Sequence, residues 1–287
     1  MIEDSIMLQG RVAIVTGGAS GIGAATAEVF AEHGIKVAIT DIDEIKGQQV
    51  TRDIIAAGGD AIFIKHDVGD EKNWQEVVSQ TLLAYKKLNI LVNNAGISFG
   101  KMLWEYTLAD FQKVLKINLE SVFLGMKYAS LAMVKNDPMG GSIVNVSSIA
   151  AITTLPEHSI YAASKAAVCS LTKSAALEYS RFNIRVNSVI PGPVETAIWE
   201  KDKAQFMGPT KDNDDLSQNE IQEVINQMRA AEGKKFVTSS TLVERIAKPV
   251  EIALPILYLV SDISSFVTGI DFVIDGGAVL QRNIGAH

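Results

Sequence analysis

Along the chain, short runs of β-branched and aliphatic residues alternate with longer stretches whose apolar positions recur every three to four residues. The runs fall at Val12 to Val15, Lys36 to Thr40, Ala61 to Ile64, Ile90 to Val92, Ile143 to Val146 and Ile184 to Val189. Strand-sized runs separated by helical periodicity predict βα units and a parallel sheet. Several runs are apolar at successive positions, so both faces of the sheet must be covered. The expected fold class is therefore α/β, an open doubly wound parallel sheet with helices on both sides. Ligands of such sheets bind at the carboxyl ends of the strands. No internal repeat, low-complexity segment or Pro/Gly/Ser linker divides the sequence, and a single domain over residues 1–287 is expected.

The rhythm breaks once, from Val194 to Arg245. A stretch this long is more than a connection needs and reads as a helical substrate lid. Within it, Ser217 and Glu220 have the spacing of a capping box opening a helix to about Ala231, with an apolar stripe of Ile221, Val224, Ile225 and Met228. That stripe suits closure over a ligand, docking on a second subunit, or packing on its own domain. Pro255 falls inside the helical pattern that starts near Pro249, where it should kink or split the helix. After a last strand at Ile270 to Ile274, the tail Gln281 to His287 has no pattern that fixes its structure.

With 47% hydrophobic and 21% charged residues in 287, the chain has the composition of a soluble protein with one sizeable core. A net charge of -7 without basic runs argues against a nucleic-acid surface and against anionic membranes. The segment Met1 to Gln9 does not read as a signal peptide. The longest apolar stretch, Ile252 to Val260, is too short to span a bilayer. Cys169 is the only cysteine, which forbids an internal disulfide and suits a reducing, cytoplasmic setting. Four scattered histidines give no metal-ligand spacing.

Two stretches carry chemistry. The first strand runs into Thr16-Gly17-Gly18-Ala19-Ser20-Gly21-Ile22-Gly23 and then a helix. Glycines there let backbone N–H groups and the helix amino terminus approach a pyrophosphate, so a dinucleotide is the expected ligand. The second strand ends at Asp41, placed to accept from the ribose hydroxyls of an adenosine and to repel a 2'-phosphate. No Arg or Lys lies in the glycine turn or in the four residues after Asp41, and NAD is preferred over NADP. In the second stretch, Tyr161 and Lys165 sit one turn apart on a helix predicted over Ile160 to Arg181. A buried cation beside a phenol favours the phenolate and makes tyrosine a usable acid or base near neutrality. Ser148, at a strand end thirteen residues before Tyr161, can give the same small substrate oxygen a second hydrogen bond. Ser147 is its nearest rival, and the spacing favours Ser148.

These residues, together with Asp67-Val68, Asn93-Asn94-Ala95-Gly96, Asn118, Pro191-Gly192, Thr196 and Asp275-Gly276-Gly277, stand in the order of the short-chain dehydrogenase/reductase family, which the chain resembles from Gly10 to Gly277. The resemblance implies a Rossmann-type sheet and an NAD-dependent oxidoreductase. Tyr161 would be the general acid in ketone reduction and the general base in alcohol oxidation. Lys165 would hold the nicotinamide ribose, Ser148 would orient the substrate oxygen, and Asn118 would position a water in a relay ending at Lys165. Gly17, Ser20, Gly21, Ile22 and Gly23 would cradle the cofactor. Asp67 and Val68 would flank the adenine, and Asn94, Ala95 and Gly96 would pass under the adenosine ribose. Pro191, Gly192, Val194 and Thr196 would lie along the nicotinamide, the last two holding its carboxamide. A homotetramer or dimer is also implied.

Candidate pocket walls from the resemblance are Ile97, Phe99, Ala150, Ile152, His158, Val194, Ile198 and Trp199. Most are apolar and none is a Lys or Arg, so the expected substrate is an uncharged, hydrophobic secondary alcohol or ketone, of cyclic, terpenoid or steroid-like type. A 3-oxoacyl-thioester reductase is the alternative within the enzyme class, against which Asp41 and the lack of a basic patch both speak. Outside it stands a non-catalytic NAD-sensing or scaffold protein, against which the intact Ser148, Tyr161, Lys165 and Asn118 speak.

Overall fold

The computed structural model describes residues 8–154, 156–196 and 241–284. In chain order the elements are β1 (Val12–Thr16), α1 (Gly21–Glu32), β2 (Lys36–Asp41), α2 (Glu44–Ala56), β3 (Ala61–Lys65), α3 (Glu71–Tyr85) and β4 (Ile90–Asn93). There follow α4 (Leu108–Leu115), a π-helical turn (Lys116–Glu120), α5 (Ser121–Met133), β5 (Gly141–Val146) and α6 (Ser159–Tyr179). The last are β6 (Ile184–Pro191), α7 (Val250–Val260), β7 (Asp271–Ile274) and α8 (Ala278–Ile284).

The strands form one seven-stranded sheet in the order β3-β2-β1-β4-β5-β6-β7, with every pair parallel. The order reverses between β1 and β4, which makes their carboxyl ends the switch point where such sheets open a crevice. Alternate residues of β1 serve opposite faces, as the two-residue period of a strand requires. Ala13 and Val15 pack with Phe30 of α1 and Ile252 and Ile256 of α7, whereas Ile14 packs with Trp74 of α3, Met133 of α5 and Val168 of α6. The sheet is thus doubly wound, as the alternation predicts.

Helix starts follow local chemistry. Asp43 accepts from Lys46 N at the start of α2, Asp70 from Lys72 N and Asn73 N at α3, and Thr107 forms a capping box with Asp110 at α4. Asn118 lies in the π-helical turn, an interruption that apolar periodicity does not announce. At Pro255 the expected split does not occur: α7 continues through it and buries Ile252, Ala253, Ile256, Leu257, Leu259 and Val260. A missing backbone bond costs about 3 kcal/mol, and each fully buried aliphatic side chain returns roughly 2 kcal/mol. Packing wins.

The tail gains structure from the turn before it. Asp275 accepts from Gly277 N at 2.9 Å and Val279 N at 2.8 Å, capping α8, and Gly276 and Gly277 take left-handed φ values of 60° and 81° that suit glycine. Among the described residues no helix is long and apolar enough to cross a membrane. Of the expected lid, residues 197–240, with the Ser217–Glu220 capping box and its stripe, lie outside the described residues.

Candidate active site

Lys165 is clamped at both ends by one stretch of β5 and its exit. Its Nζ donates to Val146 O at 2.8 Å, and its own carbonyl accepts from Ser147 Oγ at 2.9 Å. The side chain is 4% exposed, and burial pushes its pKa down to about 8. One turn earlier on α6, the Tyr161 ring centroid lies 5.7 Å from that ammonium. Ser148, half-buried at the end of β5, caps a short 3-10 turn by accepting from Ala150 N at 3.2 Å. The structure therefore brings Ser148, Tyr161 and Lys165 to one end of β5 and α6. It also separates Ser147 from Ser148, turning the first inward to α6 and leaving the second at the rim.

Asn118 is fully buried and its amide is engaged on both sides. Ile97 N donates to its Oδ1 at 2.8 Å, and its Nδ2 donates to Ile97 O at 2.9 Å and Ser164 Oγ at 3.1 Å. Ser164 Oγ in turn donates to Tyr161 O at 2.7 Å. Gly96 faces this group: a Cβ there would lie 3.4 Å from both Asn118 Oδ1 and Lys165 Nζ. The glycine thus keeps a side chain out from between an acceptor and an ammonium.

The glycine turn has the form of an anion cradle. Ser20 stands at the amino terminus of α1 without capping it through its side chain, and the first turn, which includes Gly21, Ile22 and Gly23, holds no acidic residue. Gly17 has φ 63°, and a Cβ on it would meet Asn94 Nδ2 at 2.9 Å. At Gly23 a Cβ would fall 2.1 Å from Gly17 O, a distance no side chain tolerates. A Cβ at Gly21 would touch Thr196 Cγ2 at 3.0 Å, so the segment after β6 crosses in front of the turn. Side-chain-free backbone at a helix amino terminus fits the pyrophosphate of a dinucleotide.

Asp41 accepts from Ala19 N at 3.1 Å and Asp43 N at 2.9 Å, so backbone donors orient its carboxylate at the edge of the turn. Lys46, the nearest cation after it in sequence, lies 3.4 Å from Asp43 in an ion pair. Asp67 is exposed at the end of β3 and accepts from Gly69 N at 2.9 Å, while Val68 is buried. Asn94 takes a bracing position: its Nδ2 donates to Thr16 O at 2.9 Å and Gly17 O at 3.2 Å. Thr16 Oγ1 accepts from Asn94 N at 3.0 Å and Ala95 N at 3.1 Å. Thr16 is thus a buried organiser that sequence reasoning missed; a polar residue ending an apolar strand before a glycine was its signal.

Pro191 is buried at the end of β6, and Gly192 lies against Asp275, whose Cα would be 2.7 Å from a Cβ at 192. This contact accounts for the glycine at 192. Val194 is 3% exposed and bridges to Ala247. Among the expected walls, Ile97, Phe99 and His158 are half-buried, Ala150 and Val194 are buried, and Ile152 is exposed. Ile198 and Trp199 lie outside the described residues.

A doubly wound sheet with a glycine turn at its switch point and a Tyr–Lys pair beside it defines a dinucleotide-binding redox enzyme class. The short chain dehydrogenase family model matches residues 11–206, and the chain belongs to the short-chain dehydrogenase/reductase family. Enzymes of this family are oxidoreductases that use a nicotinamide cofactor. The chain is 36% identical to the 2,5-dichloro-2,5-cyclohexadiene-1,4-diol dehydrogenase LinX of Sphingobium indicum, over 94% of this chain and 96% of that one. It is 36% identical to the NADP-dependent (R)-specific alcohol dehydrogenase of Lentilactobacillus kefiri, over 96% of this chain and 98% of that one. A crystal structure of a short-chain type dehydrogenase/reductase from Mycobacterium marinum matches with a TM-score of 0.83 and 31% identity, over 97% and 99% of the two chains.

Proposed function

We propose that this oxidoreductase uses NAD and interconverts an uncharged, hydrophobic secondary alcohol and its ketone. The observation that carries the reading is the half-buried Tyr161 phenol facing a fully buried Lys165 ammonium at the carboxyl edge of the sheet. When bound, the nicotinamide supplies or accepts the hydride. In the oxidation direction Tyr161 takes the alcohol proton, Ser148 holds the same oxygen, and the Lys165 charge favours the phenolate. Lys165 also serves the nicotinamide ribose, and Asn118 holds a water opposite it across Gly96. Gly17, Ser20, Gly21, Ile22 and Gly23 cradle the pyrophosphate, with Asn94, Ala95 and Gly96 alongside. Pro191, Gly192, Val194 and Thr196 line the nicotinamide end.

Support for NAD comes from Asp41, whose oriented carboxylate would face a 2'-phosphate, and from Lys46 being engaged by Asp43. One relative is named NADP-dependent, so NAD and NADP must be compared directly. A ring-bearing substrate is supported by the apolar candidate walls and by the cyclic diol in the name of another relative. A cytoplasmic enzyme assembling with further copies of itself completes the reading. The exposed apolar residues Leu108, Phe111 and Phe123 on α4 and α5 support the assembly.

The test follows absorbance of reduced cofactor at alkaline pH with NAD or NADP and secondary alcohols from linear through cyclic and terpenoid to hydroxysteroid, beside 3-hydroxyacyl thioesters. Turnover with NAD on bulky uncharged alcohols is expected. Reaction of the thioesters alone would favour the acyl-thioester reductase, and binding of NAD without any turnover would favour a sensor or scaffold.

A further inference from the structure

Behind the edge that carries Asp41 and Asp67 lies a buried polar chain that the chemistry above leaves unused. Thr40, His66 and Trp74 are 0%, 1% and 0% exposed. Thr40 precedes Asp41, and its carbonyl accepts from Gly18 N of the glycine turn at 3.1 Å. Its Oγ1 pairs with His66 Nδ1 at 3.1 Å. His66 precedes Asp67, and its backbone N donates to Asp41 O at 2.9 Å. The His66 ring stands edge-on to Trp74 with centroids 4.5 Å apart, and Trp74 Nε1 donates to Val68 O at 2.9 Å.

An all-apolar layer here would be the easier way to fill the core. A buried histidine instead costs desolvation, and its Nε2 has no hydrogen-bond partner among the described residues. Burial pushes its pKa down to about 4, so the ring is neutral and acts through geometry rather than charge. What the chain accomplishes is a fixed spacing: it ties the residue before Asp41, the residue before Asp67 and the carbonyl of Val68 into one rigid unit.

We infer that Thr40, His66 and Trp74 are positioning residues that set the distance between Asp41 and the Asp67–Val68 loop and thereby the affinity for the adenosine half of the cofactor. The inference rests on the reading that adenosine binds between those two strand ends. Because the chain lies at the far end of the sheet from Tyr161, its influence falls on cofactor binding and not on the proton-transfer step.

Thr40→Val removes the hydroxyl at nearly constant volume, and Thr40→Ser keeps it. NADH binding, followed by fluorescence, should weaken on the order of fivefold in Thr40→Val and recover in Thr40→Ser. AMP, used as a competitor, should lose the same factor, and the effect should appear in KM for NAD rather than in kcat. Trp74→Phe, which keeps an aromatic ring in the core but deletes the donor to Val68 O, should repeat the pattern if Thr40→Val folds poorly. If melting temperature falls while NADH and AMP affinities stay unchanged, the chain is merely structural and the inference is overturned. Weakening by Asp41→Asn together with no effect of Thr40→Val or Trp74→Phe overturns it while leaving the adenosine site standing. Failure of AMP to compete with NADH on the wild-type protein removes that site and the inference with it.

Discussion

The two halves of the candidate site are built on different principles. The turn after β1 offers backbone: helix N–H groups, glycines with no room for a Cβ, and one carboxylate held by amides. The end of α6 offers side chains: a phenol beside a buried ammonium, with a serine hydroxyl across from them. Backbone recognition suits a ligand that keeps its shape, whereas the transfer of a proton needs groups that change charge. Substitutions should therefore damage binding at one end and turnover at the other.

The largest expected effect is at the side-chain end. Tyr161→Phe should lower kcat by about 10²–10⁴-fold while NADH affinity, measured by fluorescence titration, stays near wild type. Loss of NADH binding in step with turnover would erase the contrast between the halves. At the backbone end, Gly23→Ala should weaken NADH by roughly 10- to 100-fold, because its Cβ would stand 2.1 Å from Gly17 O and the turn must deform. The same titration checks it.

Lys165 sharpens the comparison through stability. Its folded pKa of about 8 lies below its ordinary 10.5, so the unfolded chain binds this proton more tightly than the native one. Native stability is then lowest below about pH 8 and rises with pH until the unfolded lysine also loses its proton, near 10.5. At neutral pH the buried ammonium therefore lowers native stability. Melting curves should show the wild type gaining on Lys165→Met as pH is raised through this window. A constant gap between the two would mean that the ammonium is not strained by burial. The smallest effect is at Asp41→Asn, which should narrow any preference for NAD over NADP by about tenfold or less, read from the ratio of kcat/KM values.

Much of this molecule is legible in order along the chain. Apolar runs every few tens of residues forecast the strands of the doubly wound sheet, since a buried parallel strand can be little else. The glycine turn, Asp41 and the Tyr161–Lys165 spacing are local signals, each resting on the chemistry of one strand end or one helical turn. Asn94, by contrast, fits both cofactor binding and a structural turn by its sequence position, and the fold supplies the partners it braces, Thr16 and Gly17. At Pro255 local chemistry forecasts a kink or a split, and packing of α7 against α1 and β5 keeps the helix unsplit.

What the sequence by itself determined was the strand-helix alternation of the sheet and a set of candidate reactive groups, because both follow from periodicity and functional-group chemistry. What tertiary structure decided was which polar groups face each other across strands distant in sequence. Ser147 turns to the carbonyl of Lys165 and Ser148 to the rim, and His66 meets Thr40 across twenty-six residues of chain. The physical reason is that a hydrogen bond depends on distance and direction, and between strands those are set by sheet order and register, which no single segment encodes.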